Sequence, residues 1–221
     1  MPRTPDLEFF YDCSSPWSYF AFTRIQPMAR ALGVPVRWRP ILVGGVFNAV
    51  NQELYAAREA MFKGDNPRRL EYYLKDMQDW ADLCGLQIRM PPGHPLNSVK
   101  AMRGALYALE QELVVPYSQA VFATYWSGAN PDISDDAVLG DICAGVGLDA
   151  ADFFASINDQ ACKDRLRANT DELIARGGFG SPTIFIDGND MYFGNDRLPL
   201  VESRLRQRLS GADSQATKSG P

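Results

Sequence analysis

The 221-residue sequence contains no Cys-x-x-Cys pair, and its four cysteines, Cys13, Cys84, Cys143 and Cys162, lie far apart. That spacing disfavours a zinc site and a dithiol redox centre, and reduced, mostly buried thiols are expected. Histidine is nearly absent as well. His94, in Pro92-Gly93-His94-Pro95, is the only one, which rules out a multi-histidine site, so no metal is expected; its flanks fit a surface turn and a pocket about equally. There is no basic block either. The 27 acids and 22 bases are spread along the chain for a net charge of -5, which argues against a nucleic-acid partner and leaves small molecules or proteins. No apolar stretch resembles a signal segment or a membrane span, so a cytoplasmic protein with no membrane attachment is expected. No internal repeat is visible.

What is present suffices for a full core, since 46% of the residues are hydrophobic. Leu7-Glu8-Phe9-Phe10-Tyr11 reads as a short buried strand, and Pro16 suits the first turn of a helix. Ser15 is then the N-cap, its hydroxyl facing unpaired N–H groups at the positive end of the helix dipole, a setting that favours an anion. Phe22, Ile25, Ala29 and Leu32 follow at helical spacing up to Gly33, with Pro27 inside the series expected to kink or split the helix. Val34 to Pro40 alternates as a strand, parallel to the first, and from Leu42 the chain extends it before breaking into a loop at Gly44-Gly45.

Helical segments are expected from about 53 to 63, from 67 to 84 between Pro67 and Gly85, and again from Asn97, the expected N-cap there. Later helices start at Ser134 and Asp149, and no strand interrupts Glu53 to Ala175. Extended structure returns at Ser181 to Asp187, turns at Gly188-Asn189 and resumes at Met191-Tyr192-Phe193, before a helix from about Leu198 to Leu209. This is the order of an α/β, thioredoxin-like fold (βαβ…ββα) with a large all-helical insertion. Residues 1–52 and 176–210 are assigned to the thioredoxin-like domain and 53–175 to the insertion. The small, polar tail 211–221 is expected to be disordered.

The pieces Phe9-Phe10-Tyr11-Asp12, Ser15-Pro16-Trp17-Ser18-Tyr19, Arg39-Pro40-Ile41-Leu42-Val43-Gly44-Gly45-Val46-Phe47, Pro95-Leu96-Asn97-Ser98, Gly180-Ser181-Pro182-Thr183 and Phe193-Gly194-Asn195-Asp196-Arg197-Leu198 stand in an order that resembles the 2-hydroxychromene-2-carboxylate isomerases. These belong with the kappa-class glutathione transferases in the DsbA-like branch of the thioredoxin superfamily. The resemblance implies that Ser15 takes the place of the first redox cysteine and Ser18 that of the second, and that Ser15 holds the thiolate of a glutathione cofactor. It implies a cis peptide at Pro182, which presents the Ser181 backbone to the tripeptide as a neighbouring strand would. Asn195 and Asp196 would grip the γ-glutamyl end, Arg69 the glycyl carboxylate, and Asn51 or Gln52 would fall near a family asparagine. Asn97 would lie near the active site.

A small-molecule aromatic substrate would occupy an apolar pocket with Trp17 and Phe47, for which Tyr19, Tyr72 and Trp80 are further aromatic candidates. The implied activity is glutathione-dependent isomerisation of an aromatic, unsaturated 2-oxo acid, by a homodimer. A kappa-like transferase and a non-catalytic peptide-binding module are the alternatives. Asn48 departs from the family, which has a lysine there. Cys13 as a protein nucleophile is disfavoured, because it precedes the helix by more than one residue and has no adjacent base.

Overall fold

The computed structural model describes residues 4–129 and 131–216. Its centre is a four-stranded sheet in the order β2-β1-β3-β4. β1 (Leu7–Tyr11) pairs in parallel with β2 (Val36–Pro40) and antiparallel with β3 (Thr183–Ile186), and β4 (Asp190–Phe193) forms a hairpin with β3. The expected parallel pair and hairpin are both present. β1 is buried throughout, and its period of two divides the core. Phe9 and Tyr11 pack with Trp38, Phe22 and Phe122 on one face. Phe10 meets Phe185, Ile41, Val46 and Leu173 on the other. Full burial of each such side chain contributes about 1.5–3 kcal/mol. Glu8 shares the Phe10 face and is buried, but Arg37, Arg39 and Arg176 all pair with its carboxylate. That pairing is what makes a charge tolerable there.

Between β1 and β2 lies α1 (Pro16–Leu32), which starts on Ser15 and Pro16 as expected and stops at Gly33, whose φ of 65° closes the helix in the left-handed region. Pro27 neither splits it nor sits in the core. It is on the solvent side, where water can take the carbonyl that proline leaves unbonded, and α1 continues as one element.

The segment after β2 departs from the expected strand extension and loop. It is a helix, α2 (Val43–Val50). Long-range partners take its first free donors: Val43 N–H donates to Asp12 Oδ2 at 2.9 Å and Leu42 N–H to Thr170 Oγ1 at 3.1 Å. Helices α3 (Gln52–Phe62), α4 (Pro67–Cys84), α5 (Val99–Glu110), α6 (Val114–Tyr125), α7 (Asp136–Val146), α8 (Ala150–Asn158) and α9 (Gln160–Ala175) follow, with an isolated bridge, Arg89 to Ser127, as the extended pairing among them. The cap of α7 is Asp135 rather than Ser134, because the Asp135 carboxylate accepts Ala137 N–H while Ser134 N–H is turned to Asp132. A short 3₁₀ turn, Asn195–Arg197, leads into α10 (Leu198–Ala216), which runs past Leu209. Of the tail, 217–221 lies outside the described residues.

Candidate active site

Three chain segments meet where the sheet ends. The β1–α1 loop brings Asp12 to Ser15, the loop before β3 brings Ser181 and Pro182, and the turn after β4 brings Asn195 and Asp196. Ser15 caps α1: its Oγ accepts the Ser18 N–H at 3.2 Å and donates to the Ser181 carbonyl at 3.0 Å. The Ser181–Pro182 bond is cis, as expected. Ser181 Oγ in turn accepts Asp12 N–H at 3.0 Å and lies 2.7 Å from Ser18 Oγ, so Ser15 and Ser18 are both hydrogen-bonded to the residue before the cis proline.

Asp12 organises the loop. Its Oδ1 accepts the N–H and hydroxyl of Ser14, and its Oδ2 accepts Val43 N–H and the Ser98 hydroxyl. Burial raises the Asp12 pKa from the ordinary carboxylate value and these four bonds oppose the rise. Cys13 is buried, its thiol pushed well above the normal range by burial and then by Asp12. The other thiols go the same way. Burial raises Cys84 and Cys162 and takes Cys143 up to about 11, and all four cysteines are free. A protein thiolate at neutral pH is therefore disfavoured at each position.

Two spaces open beside this serine cluster, one at Ser15 and one at Ser181. An apolar cavity of about 310 Å³ is lined by Ser14, Ser15, Pro16, Phe47, Phe62 and His94, among others. A wider cleft of about 630 Å³ is lined by Trp17, Phe47, Ser181, Asn195 and Asp196, with Asp76 and Arg197. Phe47 and Arg58 belong to both. Asn195 is 4% exposed, and its amide nitrogen has no hydrogen-bond partner. A buried donor left unpaired costs about 1–3 kcal/mol, so this one is a strong sign of a ligand acceptor. Asp196 is half exposed and pairs with Arg197 at 3.0 Å.

Of the sequence-derived residues, Ser15, Ser181, Pro182, Asn195, Asp196, Trp17 and Phe47 are brought together around these two spaces. Asn97 lines a third, adjoining cavity with Asp12 and Ser14. It is not the cap of α5; the helix starts at Val99, and Asn97 Oδ1 accepts Val99 N–H at 2.9 Å. Asn51 is turned to the Phe179 carbonyl at 3.0 Å, steadying the loop that carries Ser181, while Gln52 bonds the Asn48 carbonyl. Arg69 is exposed in the first turn of α4 and lines none of the three cavities. Among the aromatic candidates, Tyr72 and Trp80 line the cleft, but Tyr19 is buried, stacked on Phe122 at 4.8 Å.

The sequence reading missed Arg58 and left His94 undecided between turn and pocket. His94 is in the pocket, with Nδ1 2.8 Å from the Tyr125 hydroxyl, and burial followed by the charge of Arg58 lowers its pKa to about 4. The imidazole is neutral at physiological pH. Among the described residues no cluster of His, Cys, Asp or Glu is arranged to hold a metal, and no helix is long and apolar enough to cross a membrane.

Comparison with known proteins agrees with this fold. A family model described as a DSBA-like thioredoxin domain matches residues 6–206. A 2-hydroxychromene-2-carboxylate isomerase of Pseudomonas putida is 30% identical over 200 residues, covering 90% of this chain and 93% of that protein. Glutathione S-transferase kappa 2 of Caenorhabditis elegans is 26% identical, covering 96% of each. The solved structure of a selenomethionine 2-hydroxychromene-2-carboxylate isomerase superposes with a TM-score of 0.77 at 27% identity, over 95% of this chain and 98% of that one. The chain therefore belongs to the DsbA-like thioredoxin family, alongside 2-hydroxychromene-2-carboxylate isomerases and kappa-class glutathione transferases.

Proposed function

We propose that the protein is a glutathione-dependent isomerase of an aromatic, unsaturated 2-oxo acid, of the kind named by its isomerase relatives. The observation that carries this reading is the position of Ser15, a hydroxyl at a helix N-terminus on the wall of the apolar cavity, bonded to Ser181, which precedes a cis proline and lines the cleft. The residues fit a tripeptide thiol. Asn195 offers an unused buried donor, and the cleft holds acids, Asp76 and Asp196, and a base, Arg197, as a zwitterionic peptide requires.

When bound, glutathione supplies a thiolate that adds reversibly to a conjugated carbon and so frees a double bond to rotate. A free thiol near pKa ~8.5 is mostly protonated at neutral pH, and the protein's task is to hold the anion. The Ser15 hydroxyl would hold the sulfur by turning to it from the Ser181 carbonyl, with the dipole of the α1 N-terminus in support. The Ser181 carbonyl, which accepts the Ser15 hydroxyl here, would then be open to a peptide N–H. Asn195 Nδ2 donates to a γ-glutamyl carboxylate. Phe47, which lines both spaces, holds the acceptor's ring, and Trp17 on the cleft side excludes water from the thiol.

The test is glutathione titration by calorimetry, with the thiolate followed by its ultraviolet absorbance, on the parent, Ser15→Ala and Asn195→Leu. Loss of a hydrogen bond to a charge, worth about 1.5–3 kcal/mol, should lower thiolate formation and turnover roughly tenfold to hundredfold in Ser15→Ala. Asn195→Leu should weaken glutathione about tenfold while leaving the ligand-free protein as stable or more so, since its donor is unpaired there. Unchanged affinity and turnover in Ser15→Ala would remove the proposed role. Product analysis with a conjugated 2-oxo acid separates isomerisation from the transferase outcome, a stable conjugate. An intact protein with no affinity for glutathione would be a peptide-binding module instead.

A further inference from the structure

The cavity beside Ser15 has walls of Pro16, Phe47, Tyr55, Phe62 and Pro95, which suit a flat aromatic body, and three charged residues, Arg58, Glu59 and Lys63. Lys63 and Glu59 bond each other at 2.8 Å, one turn apart on α3, and so cancel. Arg58 is different. Its guanidinium is half-buried and forms no ion pair among the described residues. It is held by two aromatic faces, 5.8 Å from the ring centroids of Phe47 and Tyr73. The two rings flank the guanidinium, which also hydrogen-bonds the Tyr73 side chain and keeps its other N–H donors for a ligand. The neighbouring imidazole, His94, brings no second cation at neutral pH. The space is thus an aromatic slot with one uncompensated positive charge on its wall.

We propose that Arg58 binds the carboxylate of an aromatic acid seated in this cavity, and that it makes the protein select aromatic acids over neutral aromatics of equal size. A planar guanidinium meets a carboxylate through two parallel N–H bonds, and a half-buried, unpaired cation gains more from such a partner than an exposed one. Arg58 and Phe47 line both the cavity and the peptide cleft, and Ser15 lines the cavity, so the acid lies beside the Ser15 hydroxyl. Arg58 is in this account a binding and specificity residue. The proposal deepens the isomerase reading by naming the residue that recognises the substrate's acid, but its test requires no turnover.

The probes are 2-naphthoate and its neutral isostere 2-naphthamide, titrated into the full chain with and without glutathione and followed by tryptophan fluorescence. The parent is expected to bind the acid about tenfold or more tightly than the amide. Arg58→Met should erase that preference, lowering acid affinity about tenfold, with amide and glutathione affinities changed about twofold at most. Arg58→Lys, which keeps the charge without the fork, should fall between and guards against a folding defect in the Met variant. A parent that does not prefer the acid overturns the proposal. So does Arg58→Met with its preference intact, or one in which only glutathione is weakened, since the guanidinium would then serve the tripeptide. Acid preference that survives in a protein with no affinity for glutathione would sink the isomerase reading and leave this one standing.

Discussion

His94 is held with Nδ1 2.8 Å from the Tyr125 hydroxyl, its ring between those of Phe62 and Trp126. Burial, then the charge of Arg58, lowers its pKa from 6.5 to about 4. The folded-state value lies below the unfolded one, so the neutral ring is what folding favours. Its contribution is fully present above pH 6.5 and is lost as the pH falls through 6.5 to about 4. The shift corresponds to at most about 3 kcal/mol, and less after screening of a ring that is only partly buried. Asp12 has the opposite sign. Its pKa is raised by burial, so its share of stability is present at acid pH and fades as the pH rises above the ordinary carboxylate value. Urea unfolding at pH 7.5 and pH 4.5 should therefore show a smaller acid loss in His94→Gln than in the parent, by about 1–2 kcal/mol. An identical loss in both would mean that His94 is not buried against a cation in solution. The other carboxylates titrate in both proteins and cancel in the comparison.

Elements in this molecule were legible in the sequence where local chemistry marks their ends. Pro16, Gly33, Pro67 and Gly85 do so, and α1 and α4 start and stop there. Where a distant group decides, the sequence is silent. α2 exists because Asp12 and Thr170 take its leading amides, and nothing near Gly44-Gly45 announces them. The end of α5 at Glu110 is equally hidden, because Leu106, Leu109 and Leu113 keep helical spacing past it while the left-handed turn falls on Glu112, with φ 59°, and not on a glycine. Gly104, in the middle of α5, carries a constraint of another kind. A Cβ there would lie 2.1 Å from the Tyr117 hydroxyl and 2.5 Å from the Phe153 ring, both fully buried, with the tyrosine donating to the Ala101 carbonyl. Helices α6 and α8 approach α5 across that gap. Gly104→Ala gains about 1 kcal/mol of helix propensity but must displace two packed rings, at about 1–3 kcal/mol or more. The balance should be destabilising by about 2 kcal/mol, read as a lower Tm in scanning calorimetry. A higher Tm would show that the three helices can separate at no cost.

At the scale of the whole molecule the site divides along the same line. Ser15, Ser181 and Asn195 sit at ends of the sheet's own elements, where short motifs mark them, whereas Arg58 and His94 reach the site only because the helical segment folds back over it. No local pattern distinguishes Arg58 from exposed Arg69, and the position each takes is a tertiary fact. The two parts of the chain are joined by one apolar core that runs from Leu7 through Phe122 and Phe153 to Leu205. Polar ties cross it: the hydroxyls of Tyr11 and Ser118 are 2.7 Å apart, and Trp126 Nε1 donates to the Cys13 carbonyl at 3.0 Å. A helical segment bound in this way has no separate core to unfold from. Thermal or urea unfolding followed by far-ultraviolet circular dichroism, which reports mainly the helices, and by tryptophan fluorescence should give coincident transitions. Tyr11→Phe, which leaves the Ser118 hydroxyl without its partner, should lower stability by about 1–2 kcal/mol and move both transitions together. Fluorescence that changes while the helical signal persists would mean that residues of the insertion hold together without the sheet. The cavity built by Arg58 and His94 would then be able to form and melt independently of Ser15, and acid binding at Arg58 would be uncoupled from glutathione.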